Sequence, residues 1–166
     1  IAKECMNQEK QDTATAWIYL KPAIDLNPKN ARLHLLNGDL EVLKKNYGAA
    51  FNAYDRAIFF DPKSSIAYRT IGYLYFRSKS YKEALNAFKK SIALNPDQVL
   101  VYKYFGDLLY TTGRYPESEQ AYLTYMERAD VTQEDKEKFA IILFFNKKND
   151  EASALLELVT SISHKE

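Results

Sequence analysis

Apolar residues recur at helical spacing twice within residues 65–98. The first set is followed by a short polar stretch, residues 78–80, and the second ends at Asn95-Pro96. The apolar positions that share a face are Ile71, Leu74 and Tyr75 in the first set and Ala84, Leu85, Phe88 and Ile92 in the second. Residues three and four apart lie on one side of a helix, so the pattern predicts two helices. The three residues between them suffice only for a tight turn between antiparallel neighbours.

The same pattern returns every 34 residues along the chain. Three residue types mark it: Gly38, Gly72 and Gly106; Tyr47, Tyr81 and Tyr115; Pro28, Pro62 and Pro96. Constant spacing of this kind is typical of a repeat protein. It predicts one domain, 1–166, built of five helix-turn-helix repeats, numbered one to five: 1–30 (partial), 31–64, 65–98, 99–132 and 133–166.

The residue types at the repeated positions have physical reasons. Gly72 and Ala84 lack bulk beyond Cβ and so predict close approach of two helices, while large aromatic residues are expected to fill the core. The aromatic rows assigned to the core are Tyr47, Tyr81 and Tyr115, and Tyr54, Phe88 and Tyr122. Asn or Asp before proline predicts the end of each second helix. The expected helix N-caps are Asn30, Ser64 and, with Asp135, Thr132.

The two terminal repeats depart from the pattern. Repeat one leaves only ten residues for its first helix, which we expect to be frayed. Pro22 falls late in its second helix, where the missing backbone donor is expected to bend or shorten that helix. Repeat five keeps Phe139, Ala140, Leu143 and Ala152 but lacks the repeat tyrosine and proline, as a terminal, capping repeat often does.

These positions resemble the tetratricopeptide repeat (TPR) family over essentially the whole chain. In repeat three the matching residues are Tyr68, Ile71, Gly72, Tyr75, Ala84, Phe88, Ser91 and Pro96. The resemblance implies an all-α fold, a right-handed α-α superhelix (TPR solenoid) of about five 34-residue repeats. It also implies a non-catalytic scaffold or adaptor whose first helices line a concave groove for a peptide or protein segment.

Charge and hydropathy narrow the classes of partner. The formal net charge is +1, and like charges do not cluster in long blocks. We therefore expect no nucleic-acid binding, which normally needs a strongly basic surface. The longest apolar run, 139–145, would span about a third of a bilayer, so no membrane insertion is expected. The chain begins at Ile1, and we expect it to be part of a longer protein. No targeting segment decides between a cytoplasmic and a periplasmic location.

No arrangement of reactive side chains emerges from the sequence. The two histidines, His34 and His164, are far apart, and neither is spaced to form a metal site or a couple with the single cysteine, Cys5. His34 occupies an aromatic packing position and is expected to be half-buried. We expect no enzymatic activity, no metal and no cofactor.

Carrying the family's groove positions onto this chain gives a candidate binding surface. Its members are Arg69, Tyr73, Phe76, Arg77, Lys103, Asp107, Tyr110 and Phe144. Aromatic anchors beside arginine are common in protein interfaces, and the cations could receive an acidic group. Two interpretations remain open at this point: the aromatic residues bind a partner, or they pack against the adjacent first helix and complete the core.

A second hypothesis concerns the C-terminal end. The run Ile141–Phe145 is apolar on all sides of its helix, which normally means burial, although a last repeat offers only part of that burial. The final helix carries further apolar residues: Leu155, Leu158, Val159 and Ile162. We expect another repeat, a capping helix or a second copy of the chain to cover this end. The protein would then be a structural segment of a larger assembly or envelope protein that associates end to end, with possible self-association through its C-terminal helix.

Overall fold

The chain folds into helices and short connections. The computed structural model describes the backbone of residues 2–163 and the side chains of residues 12–158. The helices are α1 (Ala2–Leu26), α2 (Ala31–Leu43), α3 (Tyr47–Phe60), α4 (Ser65–Arg77), α5 (Tyr81–Leu94), α6 (Val99–Thr111), α7 (Tyr115–Met126), α8 (Gln133–Phe145) and α9 (Asn149–Ser163). No strand occurs within residues 2–163, so the all-α prediction is confirmed there. Expectations for Cys5, Val159, Ile162 and His164 concern side chains outside the described ones.

Two compact units divide the chain. The N-terminal unit, Ile1–Ser80, holds α1 to α4, and the C-terminal unit, Tyr81–Glu166, holds α5 to α9. In the N-terminal unit α2 packs along α3, α1 lies against α2, and α3 lies against α4. In the C-terminal unit the pairs α6 with α7 and α8 with α9 pack along each other, while α5 lies against α6 and α7 against α8. The single domain expected from the repeats remains a prediction.

The predicted N-caps of three first helices are confirmed. The side chains of Asn30 and Ser64 accept hydrogen bonds from backbone N–H groups in the first turns of α2 and α4. Thr132 and Asp135 form a reciprocal capping box at the start of α8. Each cap satisfies backbone donors that a helix start leaves without a partner, which fixes where the first helices begin.

The turn inside each complete repeat uses a left-handed residue. Positive φ angles occur at Lys45 (60°), Lys79 (62°), Gly113 (76°) and Lys147 (63°), which are spaced by 34 residues. The next residue then donates its N–H back to the first helix, as in Arg114 N to Leu109 O at 2.8 Å. This conformation closes the turn between the two helices of a repeat, and three lysines adopt it at some steric cost.

Repeat one differs from the prediction of two helices, which was wrong. It forms a single helix, α1, that runs from Ala2 through Pro22 to Leu26. A turn would need a left-handed residue at Gln11, the equivalent of Lys45, and residues 7–12 contain neither glycine nor proline. Continuing the helix adds a hydrogen bond for each residue instead. Pro22 does not shorten α1, which ends just before Asn27-Pro28 as the prolines predict.

The side chains of the two aromatic rows differ in how deeply they are buried. Tyr54, Phe88 and Tyr122 are buried as expected, but Tyr47 is 41% exposed, so its assignment to the core was wrong. Tyr115, at the equivalent position, stacks on Phe145 with ring centroids 4.7 Å apart. The residue 30 positions after Tyr47 is Arg77 instead of a phenylalanine, and among residues 12–158 no ring stacks on Tyr47. His34 is fully buried, more than expected, and its ring stacks on Phe60 at 5.3 Å.

Candidate binding surfaces

The N-terminal unit presents four of the candidate residues on α4. Arg69, Tyr73 and Arg77 follow one another at intervals of four residues, so they form one row, with Phe76 beside it. Tyr73 and Phe76 are half-buried, and Arg77 is exposed in the last turn of the helix. This intermediate burial means that the two aromatic side chains take part in packing and still reach the surface.

Arg69 is the half-buried cation of this row. Its Nε atom is buried and, among the described residues, has no hydrogen-bond partner. Arg69 lies near Tyr54, whose hydroxyl donates to Asp39 Oδ1 at 2.7 Å. Burial and this bond to Asp39 raise the pKa of Tyr54, while the positive charge of Arg69 acts in the opposite direction. A buried guanidinium N–H without an acceptor has an unfavourable desolvation energy.

In the C-terminal unit, Lys103 and Asp107 are held by charged partners within the chain. Lys103 on α6 forms an ion pair with Asp135 on α8. Asp107 is only 8% exposed, and its carboxylate accepts from Lys138 Nζ at 2.6 Å and from the Tyr122 hydroxyl at 2.5 Å. Burial, the Asp107 charge and this hydrogen bond raise the pKa of Tyr122, which stays a neutral donor. These two candidate residues therefore serve first to join α6, α7 and α8.

Tyr110 and Phe144 belong to an aromatic cluster in the same unit. The Tyr110 ring lies 5.7 Å from both Tyr115 and Phe145, and Phe145 meets Phe144 edge-on at 5.8 Å. Phe144 is 61% exposed, and Ile141, one turn before it on α8, is also exposed. The cluster thus has two half-buried members, Tyr110 and Tyr115, and two exposed ones, Phe144 and Phe145. Of the eight candidate residues, the structure brings Lys103 and Asp107 into one charged network and Tyr110 and Phe144 into this cluster.

An apolar cleft between α1 and α2 was not found from the sequence. It has a volume of about 390 Å³ and is lined by Ala16, Tyr19, Leu20, Ala23, Leu36, Asp39, Leu40 and Leu43. In repeats two, four and five a first helix packs along the second helix, but α1 is continuous and has no such companion among the described residues. The feature of the sequence that could have indicated this cleft is the incomplete first helix of repeat one.

The structural role of Asp107, a buried acid, was also missed, although the repeats contain a signal for it. Asp39 and Asp107 each accept from a tyrosine 15 residues later. In repeats three and five the same pairs of positions hold Tyr73 with Phe88 and Ile141 with Leu156, so the acid is missing from the first position and the hydroxyl from the second. Comparison of the repeats with one another could therefore have assigned Asp107 to packing.

Comparison with known proteins settles the family. Two tetratricopeptide repeat profiles match the sequence, one over residues 11–65 and the other over residues 65–98. Together they cover more than half of the chain. The chain belongs to the tetratricopeptide repeat family. Comparison with curated protein sequences gave no match.

Solved structures of TPR proteins share the fold. MamA is 19% identical, with a TM-score of 0.80 over 96% of this chain and 94% of that one. PilF of Pseudomonas aeruginosa is 20% identical, with a TM-score of 0.82 over 93% of this chain and 71% of that one. YrrB, described as a TPR protein with an unusual peptide-binding site, is 22% identical, with a TM-score of 0.79 over 86% and 73%. At these identities the likeness shows the fold alone, and it confirms the predicted fold class.

Membership of the TPR family supports the coarser functional prediction, a protein-interaction scaffold. No helix within residues 2–163 has both the length and the apolar character to cross a membrane. The side chains of residues 12–158 include no group of three histidine, cysteine, aspartate or glutamate residues that could hold a metal ion.

Proposed function

We propose that this TPR protein is a non-catalytic scaffold that binds a peptide or protein segment on the first helices of its repeats. In the N-terminal unit the surface consists of Arg69, Tyr73, Phe76 and Arg77. In the C-terminal unit it consists of Tyr110 and Phe144, held in place by the ion pairs of Lys103 and Asp107. Support comes from the family, and from YrrB, a protein of the same fold described as having a peptide-binding site.

The observation that carries the proposal is the exposure of Phe144 on α8. Its neighbours Ile142 and Leu143 are buried, while Phe144 and Ile141 face solvent on another side of the same helix. An aromatic ring exposed next to a second large apolar residue is characteristic of an interaction site. Both exposed side chains are apolar, so this part of the surface would select apolar anchors.

Phe144→Ala should weaken ligand binding and leave the fold intact. An interface aromatic of this kind is worth about tenfold or more in affinity, whereas removing an exposed side chain changes the free energy of unfolding by less than about 0.5 kcal/mol. The immobilised full chain is used to select peptides from a random display library. The enriched peptides are then titrated against each variant, and urea unfolding is followed by circular dichroism.

The matched control is Phe59→Ala, because Phe59 on α3 is 77% exposed and lies outside the proposed surface. The wild-type chain and Phe59→Ala should bind the selected peptides equally. Equal binding by Phe144→Ala would contradict the proposal for this unit. A loss of several degrees in its melting temperature would assign Phe144 to packing.

A second candidate function rests on the last helix. Leu158 is 62% exposed and Leu156 is also exposed on α9, while Ala152 is buried against the core. These residues present apolar surface that a second copy or a neighbouring protein could cover, as end-to-end association requires. The chain would then act as a structural segment of a larger assembly.

Leu158→Glu should abolish any self-association through α9. A buried, unpaired carboxylate would disfavour the contact, so the concentration-dependent increase in mass seen for the wild type should disappear. Light scattering over a range of protein concentrations measures this mass. Ser153→Glu places the same charge at another exposed position of α9 and should retain the association. A wild-type chain that remains monomeric at the highest concentration rules this function out for the isolated chain.

A further inference from the structure

A small cavity opens beside the exposed ring of Tyr47 in the N-terminal unit. It has a volume of about 140 Å³ and lies between α3 and α4, lined by Tyr47, Phe51, Leu74, Arg77 and Ser78. Phe51 and Leu74 give it apolar walls, and the Phe51 ring packs on Tyr75 at 4.9 Å, which fixes its position. The lining residues with polar side-chain groups are Tyr47, Arg77 and Ser78.

The C-terminal unit shows what fills the equivalent space. There the ring of Phe145, at the position of Arg77, stacks on Tyr115, at the position of Tyr47, with centroids 4.7 Å apart and planes 18° from parallel. Asn146, at the position of Ser78, donates to Tyr115 O at 3.0 Å and to Glu119 Oε2 at 2.7 Å. An aromatic ring and an amide side chain thus close the space from within the chain.

In the N-terminal unit the same positions hold residues that leave the space open. Arg77 is exposed, and among the described residues no carboxylate lies within 4 Å of its guanidinium. Ser78 is small, and its hydroxyl donates to Tyr75 O at 2.9 Å in the helix that it ends. The cavity therefore has one aromatic wall without a stacking partner and a cation at its rim without a counter-ion.

We propose that this cavity binds an aromatic side chain of a partner protein segment, with an acidic group beside it that pairs with Arg77. The partner's ring takes the place that Phe145 occupies in the C-terminal unit and stacks on Tyr47. A cavity of about 150 Å³ accommodates benzene in another protein, so the size suits one phenyl ring. Arginine at the rim favours a carboxylate next to that ring. The inference rests on the proposed function, because its ligand is part of a bound protein segment.

The test uses N-acetyl-Phe-Asp-amide as the probe and the full chain in an NMR titration. Resonances of Tyr47, Phe51 and Leu74 should shift with increasing probe. N-acetyl-Ala-Asp-amide should bind at least about tenfold more weakly, because the ring supplies most of the affinity. N-acetyl-Phe-Asn-amide should bind about threefold more weakly, because it lacks the charge for Arg77.

Two variants separate the ring from the charge. Arg77→Phe with Ser78→Asn reproduces the residues of the C-terminal unit, so it should fill the cavity from within and abolish probe binding. Arg77→Gln should keep the cavity and lose only the preference for Asp over Asn. Arg56→Gln removes an exposed arginine from α3 and should bind the probe as the wild type does.

Undiminished binding by the double variant, or an Asp preference that survives Arg77→Gln, overturns the assignment. So does a wild-type chain whose Tyr47, Phe51 and Leu74 resonances do not move at millimolar probe. The double variant's helicity and melting are measured alongside, and Arg77→Gln decides the charge if the double variant fails to fold. Selection of library peptides by the wild-type chain is independent of this titration, so failure of the cavity is distinguishable from failure of peptide binding in general.

Discussion

Asp135→Ala should destabilise the chain by about 3 kcal/mol, since breaking a buried ion pair by removing one partner typically costs this much. The Asp135 carboxylate is buried and forms the ion pair with Lys103. Its Oδ2 accepts from the Tyr125 hydroxyl at 2.9 Å and from the Thr132 backbone N–H at 3.1 Å. Alanine would leave a half-buried lysine and a buried tyrosine hydroxyl without their acceptor, and would remove half of the capping box. Urea unfolding at neutral pH measures the loss.

Two further variants separate charge from hydrogen bonding at this position. Asp135→Asn keeps an acceptor for Thr132 and Tyr125 but loses the charge that pairs with Lys103, so its cost should be smaller than that of alanine. Asp150→Ala removes an exposed acid from the first turn of α9 and should cost less than about 1 kcal/mol. If Asp135→Ala were no more destabilising than Asp150→Ala, the network would contribute nothing beyond a helix-terminal charge.

The contacts of Asp135 with Lys103, Thr132 and Tyr125 also make the stability of the fold depend on pH. Burial alone would raise the pKa of Asp135, but the hydrogen bonds from Lys103, Thr132 and Tyr125 outweigh burial and lower it below the ordinary value of 3.8. A carboxyl group whose pKa is lower in the folded state stabilises the fold above its unfolded pKa, and this contribution is lost as the pH falls through the folded pKa. The difference in stability between the wild type and Asp135→Asn should therefore be full at pH 7 and narrow below about pH 4.

The elements that were predictable from the sequence are those encoded locally and repeated. Helix positions followed from apolar spacing, and the starts of three first helices followed from the caps Asn30, Ser64 and Thr132, because a cap needs only a residue and its next three neighbours. The absence of a turn within repeat one was not predictable in this way. Its outcome depends on whether residues 7–12 gain more from a turn with a left-handed Gln11 or from continuous helical hydrogen bonds, and no single residue there decides it.

The positions of the candidate surface residues were predictable from the sequence, but their burial and their partners within the chain were not. Lys103 looked available for a ligand, yet Asp135, 32 residues later, pairs with it. Tyr47 looked like core, yet its cover depends on a residue of the following helix. Such pairings join adjacent helices, so they depend on packing between helices more than on the pattern within one.

Gly106→Leu should destabilise the chain by about 2 to 3 kcal/mol, the upper range for an overpacked core. A Cβ at Gly106 would lie only 2.5 Å from Cδ2 of Tyr122, whose ring is completely buried. The ring cannot move away without stretching the hydrogen bond from its hydroxyl to Asp107. The urea midpoint of the C-terminal unit should fall accordingly. Gly48→Ala is the control, since a Cβ there meets nothing within 4 Å and alanine should stabilise α3 by up to about 1 kcal/mol.

Repeat five indicates how the strain at Gly106 can be relieved. At the positions of Gly106 and Tyr122 it carries Ala140 and Leu156, so a larger residue on the first helix accompanies a smaller one on the second. Gly106→Ala should therefore be destabilising with Tyr122 present and should cost less when combined with Tyr122→Leu. A double-mutant cycle should give a coupling of about 1 to 2 kcal/mol, within the range for residues in direct contact. Additive effects, or an unchanged midpoint for Gly106→Leu, would mean that the two helices do not depend on this close approach.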